Sequence, residues 1–137
     1  MGYAIKLQGG GGYDHTIMFQ ETVTNSGYNK SFYNDKLLTF VSGTWRTSYV
    51  AGTTNVIFTS KVSGKIDISY LYASYAPGAS VIINGVDLNI QAGPNYYGYT
   101  ISNPSTFTDS YTIKRGDTIN FIAKIYYNLL LVYFTGR

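Results

Sequence analysis

Apolar and polar residues alternate along most of this chain with the two-residue period of a β-strand. No segment holds a helical period over ten or more residues. Residues 65–75, KIDISYLYASY, give the clearest instance. Ile66, Ile68, Tyr70 and Tyr72 fall on one face, and Lys65, Asp67 and Ser69 on the other. That pattern predicts a long strand with one face in a core, entered through Ser63-Gly64 and ended by Pro77-Gly78. Asn84-Gly85 follows, with Val81 and Ile83 leading in and Val86, Leu88 and Ile90 leading out. Both positions of a tight hairpin turn need positive φ, so this dipeptide predicts a hairpin.

The last third repeats the logic. Phe107, Asp109, Tyr111 and Ile113 alternate, Lys114 to Asp117 supply a turn, and Ile119, Phe121, Ala123 and Ile125 alternate again. Residues 129–134 are then apolar in both phases. Such a strand has neither side in water: it is a central strand covered on both faces, or it is buried in a subunit interface. Nearer the N-terminus the pattern predicts strands at 3–8, 15–23, 36–41, 44–50 and 55–62, with a loop at 24–35 rich in Asn, Ser and Gly. Residues 92–104 read as a long loop or irregular edge. Nine or ten strands of five to eleven residues, spaced by turn signals, predict an all-β antiparallel β-sandwich or barrel. Four glycines at 9–12 act as a hinge, separating an N-terminal arm (1–12) from a single sandwich domain (13–137).

Composition sharpens this picture. The 137 residues suffice for one hydrophobic core without staples. Aromatic residues make up 17% and charged residues 12%, about half the usual share, so Ser, Thr, Asn and Tyr must wet the surface. There is no cysteine, which removes disulfides and thiolate metal sites. The net charge is +3, and the ten cations are scattered, with only Lys114 and Arg115 adjacent. Nucleic-acid binders carry a basic stripe or cluster, so no nucleic-acid partner is expected. No stretch approaches the length of a membrane helix, and residues 1–12 lack the apolar core of a signal peptide. No membrane association is expected, and release by lysis is a route that needs no leader.

The inventory for catalysis is thin: one histidine, His15, one glutamate, Glu21, and six scattered aspartates. Gly-x-Ser-x-Gly, a P-loop, an EF-hand loop and a zinc ligand set are all absent from the sequence. His15 beside Asp14 reads as a loop pair after the glycines. Arg115-Gly116-Asp117 spells an integrin tripeptide, but its place between two alternating strands makes Gly116-Asp117 turn chemistry. No catalytic, metal or cofactor residue is assigned, and no enzymatic activity is expected. Candidate contact residues are of another kind. Asn95, Tyr96, Tyr97 and Tyr99 cluster in the 92–104 loop, and tyrosine offers rigid contact area with a polar tip. Trp45, the one tryptophan, has the ring face that sugars use, although a core position accounts for it better. Leu129, Leu131 and Tyr133, on one phase of the apolar strand, are candidates for an assembly interface.

Residues 64–125 resemble the β-sandwich modules of phage tail, baseplate and head-fibre proteins, and more distantly C1q/TNF-like jelly rolls. A long strand after a glycine (GKIDISYLYASY), an Asn-Gly hairpin (SVIINGVDL) and a late strand pair around a Gly-Asp turn (STFTDSYTIKRGDTINFIA) carry the resemblance in that order. It implies a jelly-roll-like sandwich, a virion location, a homo-oligomer with a trimer favoured, and contacts with other virion proteins. Its roles would be capsid decoration, fibre or tail structure. The alternative it leaves open is a carbohydrate-binding or lectin-like attachment domain acting on a cell-surface glycan through Trp45 and the tyrosine loop.

Overall fold

A computed structural model describes residues 16–23, 29–47, 52–72, 78–90, 109–124 and 128–136. Its ten strands are β1 (Thr16–Val23), β2 (Asn29–Tyr33), β3 (Leu38–Thr44), β4 (Thr54–Ser60), β5 (Gly64–Tyr72), β6 (Ala79–Ile83), β7 (Val86–Asp87), β8 (Asp109–Ile113), β9 (Thr118–Ala123) and β10 (Asn128–Phe134). They form two five-stranded antiparallel sheets. The first has the order β2-β1-β10-β5-β8 and the second β3-β4-β9-β6-β7. Sequence neighbours repeatedly lie in different sheets, so the chain wraps around the sandwich in the jelly-roll-like manner that the resemblance implies.

The core lies between the sheets and is built from alternate positions. Ile66, Ile68 and Tyr70 of β5 meet Val56 and Phe58 of β4, Ile119 and Phe121 of β9, Val81 of β6 and Leu130 and Val132 of β10. Phe19 is its aromatic centre, stacked on Phe121 at 4.0 Å between ring centroids and on Trp45 at 5.5 Å. The Asn84-Gly85 turn is present with φ of 50° and 83°, although β7 beyond it is only two residues long.

Two expectations change. The predicted loop 24–35 contains strand β2, because its polar residues sit on an open sheet edge where one side meets water. Of the strands expected at 36–41 and 44–50, the first is β3, which runs on to Thr44; residues 45–47 are not strand and 48–50 lie outside the described residues. A bulge at Val41 and a left-handed Gly43 (φ 129°) bend β3 without ending it. A side chain at Gly43 would drive its Cβ to 2.3 Å from the Asn55 carbonyl oxygen, so only glycine permits this close pairing with β4. The strand expected at 3–8, the glycine hinge and the proposed arm lie outside the described residues.

Candidate functional site: an assembly face and a buried ionic clamp

Strand β10 is the centre of the first sheet. Leu130, Val132 and Phe134 point into the core, so Leu129, Leu131 and Tyr133 project from the opposite, outer face. Leu129 is nevertheless fully buried and Leu131 only 1% exposed, while Tyr133 is half-buried. Of the two alternatives that the apolar strand raised, the fold makes it a central strand with both faces out of water. Desolvation pushes the Tyr133 phenol above its usual range.

Polar side chains surround these leucines in register. Phe32, Gln20, Leu131 and Ser69 lie in a row across β2, β1, β10 and β5, and Lys30, Thr22 and Leu129 begin the next row. Gln20, Thr22 and Ser69 are all buried, and Gln20 Nε2, Thr22 Oγ1 and Ser69 Oγ have no hydrogen-bond partner. Buried polar groups are normally paired, and each orphan costs about 1–3 kcal/mol. All three are nevertheless already out of water within the single chain, like Leu129 and Leu131 between them. Along the adjoining side of the sandwich, the open edges β2 and β3 expose Phe32 (44%), Phe40 (39%) and Val41 (55%). Open edges with apolar side chains are templates for association.

The second feature is a charge network sealed between the sheets. The β1 bulge near Met18 lets both Met18 and Phe19 face inward, and Glu21 then shares the inner face with Phe19. Arg46, just beyond β3, places Nε 2.6 Å from Glu21 Oε2, and neither side chain is exposed. Thr54 Oγ1 donates to the same oxygen at 2.7 Å and accepts from the Arg46 backbone N–H at 2.9 Å. Ser31 Oγ donates to Glu21 Oε1, and an Arg46 terminal N–H donates to the Lys124 carbonyl. The ligation of both carboxylate oxygens ties β1 and β2 to β4 and the ends of β3 and β9. Glu21 is therefore a cross-sheet clamp with both carboxylate oxygens hydrogen-bonded. Among the described residues, no three His, Cys, Asp or Glu side chains are grouped to hold a metal.

Trp45 is half-buried against the core, within stacking range of Tyr33 (6.3 Å) as well as Phe19. Its rings pack inward and do not form a free platform. Asn95, Tyr96, Tyr97 and Tyr99 lie outside the described residues, as does His15. In the 114–117 turn, Asp117 Oδ2 accepts from the Lys114 backbone N–H (2.8 Å) and Oδ1 from Asn84 Nδ2 (3.0 Å). That aspartate is turn chemistry, as its sequence context predicts. The clamp escaped sequence reading, and the one signal for it was the chain's lone glutamate inside a predicted strand.

No family model, curated protein or solved structure matches the chain.

Proposed function

We propose that this chain is a non-catalytic structural component of a phage particle, a β-sandwich that works by assembling with copies of itself and with other virion proteins. The observation that carries the assembly reading is the apolar rim of Phe32, Phe40 and Val41, exposed along β2 and β3. A docking partner covers that rim. The virion assignment rests on the order of features in residues 64–125, and the preference for three copies rests on the same resemblance. The sealed state of Glu21 supports a non-catalytic role, because the chain's one glutamate is committed to holding the sheets together.

Light scattering on the purified protein tests the proposal. One chain weighs 15.2 kDa. The expected result at micromolar concentration is an integral multiple of that mass, with three copies favoured. A clean monomer contradicts the proposal.

A further inference from the structure

Half of the chain's cations converge on one end of the sandwich. The turn between β8 and β9 is fastened to the β4–β5 connection by Gly116 N–H to Ser60 O (2.8 Å), Ser60 N–H to Asp117 O (2.9 Å) and Arg115 N–H to Ser63 Oγ (2.8 Å). Lys65 lies opposite Thr112 in the β5–β8 register, and Lys61 N–H donates to Leu37 O beside the β2–β3 turn. Lys36, Lys61, Lys65, Lys114 and Arg115 are thus neighbours at this end, and all five are exposed. Only Asp35 and Asp117 accompany them in these turns. Among the described residues, five cations against two acids give this cluster an excess of three positive charges.

The acid nearest to Lys114 and Arg115 does not neutralise them. Asp117 spends one oxygen on Asn84 Nδ2 and the other on the Lys114 backbone N–H. The two cationic side chains border a shallow, open groove of about 710 Å³, lined also by Ser63, Gly64, Thr112, Ile113 and Gly136. That volume suits one small ligand or a short run of a polymer. Arginine grips a carboxylate or sulfate through two parallel hydrogen bonds, and lysine adds a point charge. The Ser63 and Thr112 hydroxyls offer partners for alcohol groups. Among the described residues no aromatic ring lines the groove, so they offer no stacking surface for a nucleic-acid base.

We infer that the groove between Ser63-Gly64 and Lys114-Arg115 binds the acidic sugar units of an anionic polysaccharide, carboxylate- or sulfate-bearing. This function goes beyond assembly and does not depend on it. It lies away from Trp45.

The test is titration calorimetry of the full chain, in whatever oligomeric state it adopts, with four probes. These are polygalacturonate, heparin, neutral dextran and a single-stranded oligonucleotide. At least one acidic polysaccharide binds, and the stronger of the two identifies the acid group. Dextran does not bind. The variant Lys114→Gln with Arg115→Gln keeps the wild-type unfolding midpoint and weakens binding about tenfold or more, since charge-assisted hydrogen bonds are lost. Lys30→Gln with Lys124→Gln removes the same charge elsewhere and leaves affinity within about threefold, the effect of distant screened charges. Three results would each overturn the inference: no binding of either acidic polysaccharide, equal weakening by the two double variants, or tighter binding of the oligonucleotide than of both polysaccharides.

Discussion

Replacing Arg46 by methionine probes the clamp that joins the sheets. The guanidinium Nε sits 2.6 Å from Glu21 Oε2 with no exposure of either side chain. Methionine fills similar volume but leaves the Glu21 carboxylate buried with only the Thr54 and Ser31 hydroxyls as donors. The Lys124 carbonyl also loses a donor. Breaking a buried pair from one side costs about 3–5 kcal/mol, because a desolvated charge stays behind. That is a large part of the roughly 5–15 kcal/mol available to a domain. At about 3 °C per kcal/mol it lowers the thermal midpoint by roughly 10–15 °C. Urea unfolding followed by circular dichroism gives the free energy directly. Removing both charges, with Glu21→Met added, should recover about 2 kcal/mol or more of the loss, since no lone ion remains. A single-variant cost below about 1 kcal/mol, the value of an exposed pair, would refute the reasoning. So would a double variant whose cost is the sum of the two single ones.

Further consequences follow from particular positions. Gly43→Ala must relieve a 2.3 Å approach to Asn55 and a left-handed φ, so it should cost about 1–3 kcal/mol or more by urea unfolding; Gly85→Ala, with open space around it, should cost less. Leu131→Ala removes a fully packed side chain and should cost about 2–5 kcal/mol, and a loss under 1 kcal/mol would show that the outer face of β10 is loosely covered. Burial raises the Tyr133 pKa, so the unfolded chain ionises first as the pH climbs. Its contribution to stability is complete below about pH 10 and is lost as the pH rises through the folded value. Tyr133→Phe should therefore flatten the alkaline arm of the stability–pH curve, and identical arms in the two proteins would contradict this.

Strands declared themselves in the sequence where one face is wet and the other dry. Ile66, Ile68 and Tyr70 in β5, and Ile119, Phe121 and Ala123 in β9, alternate and are buried as the pattern requires. Legibility failed where local geometry breaks the period. The bulges at Met18 and Val41 each insert one residue, which shifts the phase of β1 and lets β3 run on past a glycine that reads as a breaker. The clamp was hidden for the same reason, since Glu21 faces inward only once the bulge is counted. Its partner, 25 residues away, is brought to it by the pairing of two different sheets. The cationic groove was equally invisible, because Lys65 and Lys114 are neighbours only through the β5–β8 pairing. By contrast, the two-sided apolar strand 129–134 announced the centre of a sheet without saying which neighbours it would have.

Sedimentation equilibrium of the wild-type chain beside a Phe32→Ser, Val41→Ser variant tests the assembly reading most directly. Both side chains are exposed in the single chain, at 44% and 55%, so a chain acting alone should lose little stability without them. If a docked copy covers them, the wild type sediments as a multiple of 15.2 kDa and the variant dissociates at higher concentration, by about tenfold or more for the apolar burial lost. A wild type that sediments at 15.2 kDa at micromolar concentration, or a variant that assembles as tightly as the wild type, would contradict the account.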